Sequence, residues 1–267
     1  MVKILKKDKI LSIALLGLLL ISLALPLIEP YIITEKEVQE LDPKTQANQI
    51  SIVNPENRTY SVPMNGYYPG TCGFEEEADG NNPEGWEIYE GGGTINTISE
   101  YNGHKKVIEL YDSQATNVRL SQVFPQESGT VELWWSMDDV TDQCDFWLSS
   151  DTNNLRFRVQ IIFDKFRWYD GDNHDVGLSA SDSQWYHIRV DFDFGAGIWD
   201  LWIDGVKYSG TGYGMHSSTL NFDGIDFRTS TSAGDYRSYI DAIGYSWDPS
   251  YSVGDNENEG LLVSYAN

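Results

Sequence analysis

The chain has 267 residues, 13% of them aromatic, with nine tryptophans and sixteen tyrosines. That content of large burying side chains excludes a disordered chain and is enough for one large β domain or two small ones. A formal charge of −23 and a pI near 4.3 exclude a nucleic-acid-binding domain, and suit a soluble surface or one that holds divalent cations.

The N-terminal 33 residues differ from the rest. Lys3, Lys6, Lys7 and Lys9 precede an apolar run from Ile10 to Ile28, broken only by Ser12, Gly17, Ser22 and Pro26. A basic head before an apolar stretch is the pattern of a secretory signal or an N-terminal membrane anchor. Ser22-Leu-Ala24 has the small-x-small form of a cleavage site, and the run is also long enough to span a bilayer. Both readings place the remainder outside the cytoplasm, secreted or held at the cell membrane, because the lysines favour the inner side. Residues 34–48 are charged, with a helical pattern of two turns. Residues 49–70 hold three prolines and little regular pattern, so 34–70 reads as a stalk or linker. Asn57, in Asn-Arg-Thr, is a candidate glycosylation acceptor.

From residue 71 the hydrophobic period is two. In 129–138, Val131, Leu133, Trp135 and Met137 alternate with Thr130, Glu132, Trp134 and Ser136. In 154–163, Leu155, Phe157, Val159 and Ile161 form one face, and Arg156, Arg158 and Gln160 the other. Tyr186, Ile188, Val190 and Phe192 stand opposite His187, Arg189, Asp191 and Asp193. Residues 198–205 end in Asp-Gly, a hairpin turn. Asp-Gly-Asp-Asn-His-Asp at 170–175 reads as another turn rather than a calcium loop, since no glycine follows His174. Further strands are expected near 105–111, 117–124, 220–228 and 236–247. Short strands separated by Gly, Asn, Asp and Ser turns predict an all-β, two-sheet antiparallel sandwich over 71–250. Residues 251–267 would follow as an acidic tail or a final strand.

The chain has two cysteines, Cys72 and Cys144. In an oxidising compartment they allow one disulfide, and two free buried thiols are the alternative. His104, His174, His187 and His216 are isolated in sequence and complete no zinc motif. Glycosidase-type Glu-x-Asp-x-x-Glu, Gly-x-Ser-x-Gly, His-Glu-x-x-His and P-loop patterns are all absent. The sequence therefore carries no catalytic residue that can be named. A binding surface is the better expectation. Arg156, Arg158 and Gln160 would bond hydroxyls or acids, with Trp134, His187, Arg189 and Trp202 on strands expected to be neighbours.

Three stretches carry a resemblance. QWYHIRVDFDFGAGIWDLWIDG (184–205) resembles laminin-G-like and concanavalin A-like jelly rolls. GFEEEADGNNPEGW (73–86) resembles the start of carbohydrate-binding β-sandwich modules, and SYIDAIGYSWD (238–248) resembles their closing strand. The resemblance implies a jelly roll whose first and last strands are adjacent. It also implies a structural calcium held by the carboxylates matching Glu75 and Asp241, with Glu76 and Glu77 at the surface. An aspartate between Ile240 and Ala242 is costly to bury unpaired, which agrees with a cation there. The function implied is a non-catalytic, extracytoplasmic module whose partner is a carbohydrate or a cell-surface protein. A structural or assembly domain without a small ligand and a divergent glycoside hydrolase are the alternatives.

Overall fold

The structure, a computed structural model, describes residues 49–53, 59–63, 66–149, 155–216, 224–232 and 234–259. The basic and apolar N-terminal segment and Asn57 lie outside the described residues. Among the described residues no helix is long and apolar enough to cross a membrane.

Strands β1 (Gln49–Val53) and β2 (Thr59–Pro63) pair antiparallel, so the stretch expected to be irregular contains a hairpin. The sandwich itself has two antiparallel sheets. The seven-stranded sheet runs, in spatial order, β11 (Asn173–Ser179), β10 (Lys165–Tyr169), β9 (Leu155–Ile162), β8 (Cys144–Ser149), β16 (Gly224–Thr229), β6 (Arg119–Val123) and β3 (Glu87–Tyr89). The eight-stranded sheet runs β14 (Val206–Lys207), β13 (Ile198–Ile203), β12 (Tyr186–Asp193), β7 (Ser128–Met137), β17 (Tyr236–Tyr245), β5 (His104–Asp112) and β4 (Thr94–Tyr101), with β15 (Tyr213–Gly214) beside β13. A single 3-10 turn, Asp255–Glu257, is the only helical element described.

The core lies between the sheets and is built from the period-two residues. Phe157, Val159 and Ile161 of β9 and Phe146 and Leu148 of β8 meet Val131, Leu133 and Trp135 of β7 and Ile188 and Val190 of β12. Stacking of Phe157 on Trp199 (4.2 Å) and of Phe146 on Phe227 (4.9 Å) fills the wider gaps. Because successive side chains alternate, each buried face fixes an opposite, outward face on the same strands.

The opening segment lies against the last strand, as the resemblance implies. Cys72 N–H donates to Ile243 O (2.9 Å), and Ile243 N–H donates to Cys72 O (3.0 Å). The expected disulfide is not formed, and both cysteines are free thiols. Cys72 sits at Ile243, whereas the Cys144 thiol contacts Ser238, five residues along β17 and roughly 16 Å away at the strand rise. A disulfide needs Cα atoms within about 7 Å. Residues 251–259 are neither a tail nor a strand. They fold back over β7, β12 and β17 and bury Asn256 completely.

Candidate functional site

The seven sequence-predicted binding residues divide between two opposite faces. Arg156, Arg158 and Gln160 project from β9, on the outer face of the seven-stranded sheet. Trp134 (β7), His187 and Arg189 (β12) and Trp202 (β13) share the outer face of the eight-stranded sheet, where His187 is paired with Trp134 and Arg189 with Trp202. The expected single groove does not exist. Alternation reports which side of a strand is apolar but not which sheet the strand joins.

The outer face of the eight-stranded sheet is closed by the chain itself. Asn256 donates from Nδ2 to Ala242 O (2.8 Å), and its own carbonyl accepts the Trp134 indole N–H (2.6 Å). With Nδ2 so used, Asn256 Oδ1 accepts from His187 Nε2 (2.8 Å), which fixes the His187 tautomer. Glu132, fully buried, takes the Tyr251 hydroxyl (2.8 Å) and the Gly254 N–H (2.6 Å) on one oxygen. Arg189 is held bidentate by Asp191 and lies over the Trp202 ring at 4.7 Å. Among the described residues one three-member group could hold a metal: Glu132, His187 and Glu257, with ligand atoms within 4.8 Å of one another. The cation serving that corner is Arg189. Its guanidinium pKa is raised first by Asp191 and then also by Glu132 and Glu257.

Asp241, on the same face, has a partner that sequence spacing did not show. His104 Nδ1 lies 2.8 Å from Asp241 Oδ2, and the imidazole is stacked between Tyr68 and Trp185, each at 4.1 Å. Burial pushes the His104 imidazole down to about 3 and raises the Asp241 carboxyl well above its usual range, so both are driven toward their neutral forms. The charge of Glu75 raises Asp241 further. Asp241 Oδ1 is buried without a hydrogen bond. Glu75 is itself raised by burial and then by Glu76, and it lines a cavity of about 300 Å³ together with Glu76, Glu77, Glu84, Trp86 and Gln122. Asp241 does not line that cavity. Asp79 is bonded to Lys106, and Asn82 to the Ile95 carbonyl.

The outer face of the seven-stranded sheet is built differently. Strand register lays two rows of side chains across it. One row is Tyr89, Arg119, Arg228, Asp145, Gln160 and Arg167; the other is Glu87, Ser121, Asp226, Trp147, Arg158 and Tyr169. Arg228 grips Asp226 bidentate and lies over the Trp147 ring at 3.5 Å. Arg158 bonds Asp145 (3.3 Å) and Asn173 (2.9 Å) and covers the Tyr169 ring at 4.7 Å. Gln160 donates to Asp145 Oδ1 (2.7 Å). Burial raises the Asp226 carboxyl, Arg228 and Arg119 oppose that, and Asp145 adds to it. Arg119 Nε, Arg158 Nε, Arg167 Nε and Trp147 Nε1 are buried donors that make no hydrogen bond. The sequence indicated only the β9 members of this array. Asp145, Trp147, Asp226 and Arg228 come from strands whose register is set by the tertiary fold.

No protein-family model and no curated protein matches the sequence. Among solved structures, one described as a sialidase superposes with a TM-score of 0.57 at 13% identity, over 75% of this chain and 21% of that one. The fold is a concanavalin A-like jelly roll. The carbohydrate binding module CBM66 from Bacillus subtilis is also similar (TM-score 0.42, 10% identity, 60% of this chain and 94% of that chain). So is the carbohydrate recognition domain of Emp47p (0.41, 12%, 67% and 93%). At these identities the likeness is one of fold. The chain spans about a fifth of the sialidase's length, so what the jelly roll binds must be argued from its own two outer faces.

Proposed function

We propose that this jelly roll is a non-catalytic binding module that takes a saccharide on the outer face of its seven-stranded sheet. The observation that carries the reading is the gathering of part-exposed guanidinium groups on that face, Arg119, Arg158, Arg167 and Arg228, beside the part-exposed rings of Trp147 and Tyr169. A ligand rich in hydroxyl and carboxyl oxygens suits such a cluster of cationic donors, and Tyr89, 52% exposed, offers it an apolar edge. The basic and apolar residues 1–33 support a place outside the cytoplasm, with the module secreted or tethered to the cell membrane. A glycan array probed with the full-length protein tests the reading. Binding that Trp147→Ala and Tyr169→Ala abolish supports it. Binding that both variants retain moves the site elsewhere, and no binding with clear self-association favours an assembly domain.

One observation favours a glycosidase. Asp145 and Asp226 are diagonal neighbours across β8 and β16, and burial raises Asp226, as a catalytic acid requires. Against this, Arg228 bonds both oxygens of Asp226, while Gln143, Arg158 and Gln160 bond those of Asp145, which favours the ionised form of each and opposes a role as proton donor. Turnover of a polysaccharide, lost in Asp226→Asn, would establish the enzymatic reading.

Calcium at Glu75 and Asp241 belongs to the same proposal. The residues fit in one respect: two carboxylates close enough for one to raise the other, with a buried Asp241 oxygen that has no hydrogen-bond partner. Bound calcium would be structural. Ligand at a hundredfold excess over its Kd stabilises a fold by about 2.7 kcal/mol, so millimolar calcium should raise the melting temperature of the chelator-stripped protein and Asp241→Ala should remove that response. Equal melting with and without calcium removes the site.

A further inference from the structure

We infer that the ligand of the seven-stranded face is an acidic saccharide, carrying carboxylate or sulfate groups and lying across the strands; this rests on the reading that this face is the binding surface. The argument starts from a charge reversal. The chain has 41 acidic and 18 basic residues. Yet four of its eight arginines, Arg119, Arg158, Arg167 and Arg228, stand part-exposed on this one face, from β6, β9, β10 and β16. The central strands set two carboxylates, Asp145 and Asp226, against those four guanidinium groups, and Glu87 and Asp175 stand on the flanking strands β3 and β11. Lys165 is neutralised at the edge by Asp175. With a Debye length of about 8 Å at physiological salt, the acidic remainder of the surface does not cancel this local field.

Arg158 and Arg228 are held in place by hydrogen bonds that do not use all of their donors. A guanidinium has five N–H donors. Arg158 uses both terminal nitrogens and leaves Nε unbonded; Arg228 uses Nε and one terminal nitrogen and leaves the other. Arg119 reaches Asp226 only at 3.7 Å, and Arg167 faces the Phe163 ring at 5.6 Å. Planar, part-exposed guanidinium groups suit carboxylate and sulfate oxygens. The aromatic groups argue in the same direction. One face of Trp147 is already taken by Arg228, so the ring stiffens the arginine more than it offers a platform for an uncharged sugar.

Geometry gives the ligand its extent. Arg119 and Arg228 are directly paired on β6 and β16, and Arg158 and Arg167 are diagonal neighbours on β9 and β10. The two pairs are separated by β8, so about 10 Å of sheet lies between Arg228 and Arg158 and roughly 19 Å between Arg119 and Arg167. A monosaccharide meets one pair; a polymer with repeated anionic groups meets both.

The test uses the full-length protein and three soluble polymers: polygalacturonate with carboxylates only, dextran sulfate with sulfates only, and uncharged dextran. Titration calorimetry should show binding to one or both acidic polymers and none to dextran, with affinity falling steeply as salt is raised. Arg167→Gln leaves the buried Asp145 and Asp226 pairs intact, and Arg119→Gln removes only a 3.7 Å contact with Asp226, which Arg228 still grips. Each should weaken binding about tenfold, the loss of one charge-assisted hydrogen bond, without changing the melting temperature. Arg237→Gln, whose partners are Glu109 and Asp138 on the opposite sheet, should bind as the parent does. Polygalacturonate alone identifies the carboxylate, dextran sulfate alone the sulfate. Equal, salt-insensitive binding of dextran overturns the acidic class but leaves a saccharide site. Undiminished binding by the Arg119/Arg167 double variant overturns the location. Single-stranded DNA bound more tightly than either polymer overturns the ligand class. Failure of both acidic polymers overturns the inference, and the glycan array then judges the saccharide reading separately.

Discussion

The two outer faces of the jelly roll have similar material and opposite fates. Each carries tryptophan, arginine and buried carboxylates. On the eight-stranded sheet the chain returns as residues 251–257 and supplies partners to Trp134, His187 and Glu132. The atoms left without hydrogen bonds there include carboxylate oxygens, Glu132 Oε1 and Asp241 Oδ1. On the seven-stranded sheet they are mainly N–H donors, from Arg119, Arg158, Arg167 and Trp147. On our proposal, what separates the structural face from the recognition face is whether a returning segment of the chain covers it.

The comparison breaks most visibly at Glu132. Replacing it by Ala strands the Tyr251 hydroxyl and the Gly254 N–H beneath the returning segment. Two hydrogen bonds to a buried carboxylate should cost about 3 kcal/mol or more, measured as a lower urea midpoint, with a red shift in tryptophan emission as Trp134 is wetted. An unchanged midpoint would mean the segment does not fasten the sheet. Gly244→Ala comes next. A Cβ there would stand 2.0 Å from the Tyr251 ring, and overpacking of this kind costs about 1–3 kcal/mol. Tyr89→Ala, on the recognition face, should lie within about 0.5 kcal/mol of the parent, because the ring is already in water and packs on little. If it destabilises as much as the Gly244 change, the seven-stranded face is structural too. The smallest signal is chemical. Burial pushes the Cys72 thiol up to about 11 and the Cys144 thiol up to about 12. At pH 8 the native protein should resist iodoacetamide, take up two labels only after denaturation, and show Cys72 labelling first as the pH is raised.

Much of this was legible in the sequence, and the limits were physical. Strands β7, β9, β12 and β13 alternate cleanly because one side is core and the other polar. Strand β8 does not announce itself. Asp145 and Ser149 point outward yet are buried under neighbouring side chains, so its burial shows no alternation. Arg156, Arg158 and Gln160 were visible as a polar face, but Asp226 and Arg228 reach them only through β16 pairing with β8. The opposite error placed Trp134, His187, Arg189 and Trp202 beside β9. Asp241 was read as a carboxylate too expensive to bury without a cation, and burial does raise its carboxyl. The partner found is His104, 137 residues away, a pairing no local pattern reports.

Strand β17 joins the two ends of the folded domain, and that has a mechanical consequence. The incoming chain is fastened at Ile243 by the Cys72 pair of hydrogen bonds, and the outgoing chain at Ala242 by Asn256. A tensile load between the flanking segments therefore crosses β17 together with β5, β7 and β12, because Lys105 N–H donates to Gly66 O ahead of Cys72 and Asn256 also holds Trp134 and His187. It would first peel the Gly66–Lys105 bond and the Asn256 clamp and then the Cys72 bridge, while β6, β8, β9, β10 and β16 stay outside the path of the force. Pulled from both sides, the domain would give at its fastening before the arginine array lost its shape.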